Sequence, residues 1–165
     1  MRVNLVESVV LILTIITTPA ALASGIDLHW MWDDRCAECH DHAGNFARKY
    51  LSVSGGKLQG RHHVNDLKRF LHNHYLAATE VNAVYDMLLA QASTQQRFKN
   101  ECASCHGTAA QFVRDKLELR EGELYGRNSG LLVRSFLENH RKLTPNDVDF
   151  FNELLTRVAH EIYGP

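Results

Sequence analysis

Cys36-Ala37-Glu38-Cys39-His40 returns as Cys102-Ala103-Ser104-Cys105-His106, and the rest of the chain arranges itself around that recurrence. Laying each residue over the one 66 positions later, from Cys36 to His74, gives 16 identities in 39 positions without a gap. Beyond the pentapeptides the match pairs Phe46 with Phe112, Arg48 with Arg114 and Leu51 with Leu117. It then pairs Gly56-x-Leu58-x-Gly60-Arg61 with Gly122-x-Leu124-x-Gly126-Arg127, and Phe70-Leu71-x-Asn73-His74 with Phe136-Leu137-x-Asn139-His140. One inserted residue after His140 brings Val81 over Val148, Val84 over Phe151 and Leu88 over Leu155. Self-similarity at a fixed offset reads as one supersecondary unit written twice, with a boundary near residue 95.

A Cys-x-x-Cys-His segment has a definite chemistry. Its two thiols stand close enough to add to the two vinyl groups of one porphyrin, while the adjoining imidazole reaches the iron from the proximal side. Cys36 and Cys39 with His40, and Cys102 and Cys105 with His106, therefore read as attachment points for two covalently bound c-type haems. A zinc ribbon also pairs two Cys-x-x-Cys units, but it expects roughly 15–20 residues between them. Here 62 lie between Cys39 and Cys102. A thioredoxin-like redox pair needs no histidine after its second cysteine and sits in a strand-helix setting that these flanks do not offer. All four cysteines fall in the two motifs, so none is left for a disulfide or a free nucleophilic thiol.

The far side of each iron is sought with the same comparison, since a position required by the cofactor should recur. No methionine does: Met31 falls over Arg97, and Met87 over Glu153 or Leu154. Among the ten histidines, two proximal, the one further matched pair is His74 and His140, each 34 residues past its own proximal histidine. Leu67, Leu71 and His74 share a helical face, and Val133, Leu137 and His140 repeat that stripe. His74 and His140 are the candidate distal iron ligands. A buried histidine bonded to a carbonyl is the rival reading, and His62 or His63 is an alternative in the first unit. Arg61 and Arg127 follow a glycine that lets the backbone approach a porphyrin edge, and a guanidinium takes a carboxylate in bidentate fashion. They are candidate propionate contacts, with an ordinary surface arginine as the alternative.

The surrounding sequence reads as helical. Trp32 and Phe98 lie four residues before the first cysteine of each motif, on its helical face. A second helix is predicted over 64–74 and 130–140. A third starts near Thr79, and in the second unit at Thr144-Pro145-x-Asp147, where threonine as N-cap, proline in the first turn and an acidic third position mark a start. No alternating strand pattern of useful length is read anywhere. The predicted fold is all-α, two helical units in tandem at 24–95 and 96–165.

Residues 1–23 read as an export signal, with Arg2, an apolar run from Val9 to Ile16, Pro19 and a small-x-small site at Ala21-Leu22-Ala23. Cleavage there leaves 165 − 23 = 142 residues, one ordinary domain or two very small ones that gain core from a bound porphyrin. An uncleaved membrane anchor is the alternative, but the apolar run is shorter than the roughly 20 residues of a spanning helix; no second hydrophobic segment of that length follows, so the mature chain is expected to be soluble. The net charge of −1 excludes a basic nucleic-acid binder.

On Cys36, Cys39, His40, Cys102, Cys105, His106 and the Gly-x-Leu-x-Gly-Arg loop, the chain resembles the c-type cytochromes, more narrowly small tandem dihaem members of the class-I-like group. It departs from dihaem cytochromes of the c4 type in lacking a distal methionine. The resemblance implies two cytochrome c-like units, haem attachment outside the cytoplasm, and a periplasmic carrier of single electrons rather than an enzyme. Its partners would be a redox protein donor and acceptor, with possible docking to a membrane respiratory complex, of which it would alternatively be a small subunit. The competing class is a haem enzyme or gas-binding protein in which one distal site is open.

Overall fold

The structure is a computed structural model, and it describes residues 25–164; the signal read over 1–23 lies outside the described residues. From the N-terminal side it builds α1 (Leu28–Arg35), α2 (Ala37–His40), α3 (Ala43–Tyr50), β1 (Leu51–Ser54), β2 (Lys57–Gly60), α4 (Leu67–His72) and α5 (Val81–Ser93). The same order follows in α6 (Arg97–Glu101), α7 (Ala103–His106), α8 (Ala109–Lys116), β3 (Leu117–Arg120), β4 (Glu123–Gly126), α9 (Val133–Glu138) and α10 (Pro145–Tyr163).

The expectation of an all-α chain is therefore corrected: the described residues carry two antiparallel hairpins beside their helices. In the first, Leu51 pairs with Gly60 and Ser54 with Lys57; in the second, Leu117 pairs with Gly126 and Arg120 with Glu123. The physical reason lies in the turns. Gly55 and Gly56 have φ of 55° and 73°, and Glu121 and Gly122 have 50° and 81°, so both central residues of each two-residue turn are left-handed. That twist closes a tight hairpin, and glycine adopts it without a side-chain clash. The Gly-x-Leu-x-Gly-Arg stretch is thus the turn and return strand of a hairpin, and its leucine, Leu58 or Leu124, points into the core.

The second helices are shorter than predicted, Leu67–His72 and Val133–Glu138. His74 and His140 consequently sit just beyond a helix end, their N–H groups donating to Leu71 O and Leu137 O at 3.1 and 3.0 Å. α10 begins as its sequence signals: the Thr144 hydroxyl accepts from Asp147 N while the Asp147 carboxylate accepts from Thr144 N, with Pro145 in the first turn.

Two apolar clusters form the core. One gathers Met31, Trp32, Ala47, Leu58, Val84, Met87 and Leu88, and the other Phe98, Val113, Leu124, Phe151, Leu155 and Val158. Met31 and Met87 are fully buried there, each 1% exposed. The halves meet where the first described residues reach α8 and α10. Gly25 N donates to Tyr163 O at 3.2 Å, and Arg114 grips the Asp27 carboxylate through Nε and Nη2 at 2.6 and 3.0 Å. His29, 6% exposed, pairs its Nε2 with Glu161 at 2.7 Å.

Candidate cofactor sites

Each pentapeptide is folded by its own backbone. Cys36 ends α1 and begins α2, and both the Cys39 and His40 N–H groups donate back to Cys36 O, at 3.2 and 2.9 Å. Cys102, Cys105 and His106 repeat this at 3.1 Å each. This single turn folds each pentapeptide into one short helical loop that carries both cysteines and the histidine. The chain then leaves through a left-handed residue, Asp41 (φ 62°) or Gly107 (φ 69°). In the first half Trp32 Nε1 donates to Asp41 O at 2.9 Å and holds that exit. Cys36 and Cys102 are half-buried, Cys39 and Cys105 exposed, and all four are free thiols.

The histidines meet across each half. The ring centres of His40 and His74 are 5.8 Å apart, and those of His106 and His140 are 6.1 Å apart, each pair inclined at 59°. The rings around them recur as well. Phe46 meets His40 edge-on at 4.7 Å, and Phe112 meets His106 at 4.6 Å. Phe70 stacks on His74 at 4.7 Å, and Phe136 on His140 at 5.0 Å. One phenyl thus braces each imidazole. His63 stacks on the other face of this arrangement, 4.1 Å from Phe70, and its Nδ1 engages Asp66. His42 accepts a hydrogen bond from Gly44 N at the start of α3.

A cleft of about 730 Å³ opens between His106 and His140. Its walls include Cys102, Phe112, Leu117, Phe136, Leu137 and Phe151, and its rim carries Lys116 and Arg141. This volume falls within the roughly 300–1,000 Å³ of cofactor clefts, and mostly apolar walls with few polar groups are their usual lining. In the second half this lining suits a flat apolar ring. An imidazole nitrogen binds a metal at about 2 Å and lies about 1 Å from its ring centre, so two imidazoles on opposite sides of one ion have centres roughly 6 Å apart.

Protonation state agrees with that use. Burial, and then the neighbouring His74, hold His40 below the ordinary histidine range, and burial followed by His140 and Arg141 does the same for His106. Neutral imidazole is the form that ligates metal. Burial likewise pushes the Cys36 and Cys102 thiols up. Among the described residues no group of three or more His, Cys, Asp or Glu side chains is gathered to hold a bare ion.

Arg61 is exposed. Arg127 directs Nη2 to the carbonyls of Leu117 and Arg114, at 2.8 and 3.3 Å, and to the Tyr163 hydroxyl at 3.1 Å. The cations lining the second-half cleft are Lys116 and Arg141. The reading of the sequence passed over both, and over the buried His29. Lys116 and Arg141 have no cationic counterpart, since Tyr50 and Tyr75 stand 66 residues before them, so a search for matched positions cannot find them. Comparison with protein families, with characterised proteins and with solved structures gave no match.

Proposed function

We propose that this chain is a dihaem c-type cytochrome, and more particularly a carrier of single electrons whose two haem irons are each held between two histidines. The observation that carries the reading is the twofold approach of imidazoles at 5.8 and 6.1 Å, each pair in a half that carries its own two free thiols. Cys36 and Cys39, or Cys102 and Cys105, would make the thioether links, His40 and His106 the proximal bonds, and His74 and His140 the distal ones. Bound haem would supply a reversible one-electron change at iron; the protein sets its potential through ligand choice and burial.

The chain's own part is to orient and enclose. Phe46 and Phe112 brace the proximal rings edge-on, while Phe70 and Phe136 stack against the distal ones. Leu117, Leu137 and Phe151 line the second cleft with apolar surface. If His40 with His74, and His106 with His140, held the two irons, no position would be left open for substrate, which favours carrier over enzyme. Histidine in place of methionine also lowers the potential relative to His/Met cytochromes. Export to a periplasm, supported by the N-terminal stretch of the sequence, would bring the chain to a redox donor and acceptor.

Haem quantification with absorption and paramagnetic resonance spectra of the purified protein tests this. The expected result is two thioether-linked haems per chain, both low-spin with two histidines. Absence of covalent haem overturns the whole reading, and rapid carbon monoxide binding by the reduced protein overturns the carrier role in favour of a gas-binding one.

A further inference from the structure

The two imidazole pairs are alike, but the charges around them are not. Lys116 and Arg141 line the second cleft, and the residues 66 places before them are Tyr50 and Tyr75. The acidic residue of that wall, Glu101, is held by Arg97 through Nε and Nη2 at 2.7 and 3.0 Å. Lys116 sits beside the end of the second hairpin, where Arg127 N donates to Lys116 O at 2.7 Å. Arg141 reaches instead to the motif, its Nη1 donating at 2.5 Å to the carbonyl of Glu101, the residue before Cys102. Lys142, the next residue, is exposed and adds a further cation.

Around the first motif the sign is opposite. Asp33, Asp34, Glu38 and Asp41 are exposed there, while Arg35 pairs with Glu80 at 2.9 Å. The residues that match these four carboxylates in the second half are Lys99, Asn100, Ser104 and Gly107. Lys49 and Asp115 run the other way, and they reduce the contrast without reversing it. Arg61 and Arg127 match and cancel. Reduction adds one electron to a site, so a positive surrounding potential favours it and a negative one opposes it. Exposed charges more than about 8 Å away are largely screened at physiological salt, so the groups that line a pocket carry the most weight.

We infer that the second half holds the higher-potential haem, so that electrons enter at the first half and leave from the second. This rests on the dihaem reading above and adds to it an order and a direction. One electron lost by a reduced donor protein takes the first iron from ferric to ferrous. It passes to the second iron, which returns the first to ferric, and an oxidised acceptor protein then takes it up. Lys116 acts here through its charge and ligates nothing.

Spectroelectrochemical titration of the full purified protein, beside Lys116→Gln and Tyr50→Lys, tests the order. Both positions are exposed, so each variant should keep two covalent haems and a low-spin spectrum. The unmodified protein should show two waves. Lys116→Gln should lower the upper wave alone and Tyr50→Lys should raise the lower wave alone, so that each narrows the separation. Added salt should narrow it too. A single wave in the unmodified protein, a fall of the lower wave in Lys116→Gln, or unmoved waves in both variants overturns the order, and two low-spin haems would then leave the dihaem reading standing. Absence of covalent haem, read by quantification before any titration, removes that reading and the inference with it.

Discussion

His74 and His140 each stand just past a helix end, followed by a left-handed residue, Tyr75 (φ 57°) or Arg141 (φ 58°), that turns the chain away. Such a position lets an imidazole project from a helix face without the helix continuing into the space opposite. Two further features set each ring: the backbone bond to the residue three before it, and the stacked phenyl. If both are iron ligands, His140→Met should convert one haem of two to His/Met ligation. Its potential should rise, within the roughly 0.8 V that axial ligands span, and the other should stay where it is. Spectroelectrochemical titration reads this directly as one wave shifting out of two. A shift of both waves, or of neither, would show that His140 is not the ligand of a separate iron. That these four imidazoles meet in two pairs was legible because identity at a fixed offset singles out positions under a common demand. The cationic rim of Lys116 and Arg141 was not, since it serves one half only.

At the scale of elements, the hairpins show where reading by periodicity stops. Four-residue strands give only two positions on each face, too few for alternation to stand out. The signal that was present was the turn, Gly55-Gly56 between Leu51-Ser52-Val53-Ser54 and Lys57-Leu58-Gln59-Gly60. No atom lies within 4 Å of where a Cβ on Gly56 would sit, so a substitution there acts through the backbone alone. Gly56→Ala should cost about 1 kcal/mol in urea unfolding with an unchanged slope, and Gly56→Asn less, because asparagine tolerates the left-handed region better. The start of α10 was legible in full, since Thr144, Pro145 and Asp147 act locally. Its carboxylate carries a pH dependence. The Thr144 hydroxyl, then the Thr144 N–H and Arg97, hold Asp147 down to about 2 from its ordinary 3.8. A group whose value is lowered by folding contributes stability that is complete above the unfolded value and disappears as pH falls through the folded one. The contribution of Asp147 should therefore fade between about pH 4 and pH 2. Asp147→Asn should flatten the stability profile over that window, and Thr144→Ala should cost about 1 kcal/mol at neutral pH. Denaturant titrations at stepped pH separate the two effects.

For the whole molecule, the question is what joins two separate cores. The fastening is made by residues far apart in the chain: Asp27 with Arg114, His29 with Glu161, and Gly25 against Gly164, where a Cβ on Gly25 would come within 2.5 Å of the Gly164 Cα. None of this was legible, because a pairing across 87 residues depends on how finished units dock and leaves no local pattern. Asp27 also caps α1, its Oδ1 accepting from Trp30 N at 2.9 Å, so removing the side chain would confuse two roles. Asparagine caps a helix as well as aspartate but carries no charge. Asp27→Asn thus isolates the ion pair. Burial opposes ionisation of Asp27, but the hydrogen bonds from Arg114 and Trp30 outweigh it and hold the carboxyl below its ordinary value. By the same sign as for Asp147, the pair's contribution is complete above the ordinary aspartate range and is lost as pH falls through the lowered value. At neutral pH Asp27→Asn should cost about 1 kcal/mol, in keeping with a partly exposed bidentate pair. A double-mutant cycle with Arg114→Gln should recover a coupling of similar size, since the two side chains share one interaction. The readout that matters is cooperativity. If this contact couples the halves, the variant's thermal transition should broaden or divide while the wild type melts in one step. A variant that melts in a single sharp step at the original temperature would mean that docking rests on the buried His29–Glu161 pair and the glycine contact instead.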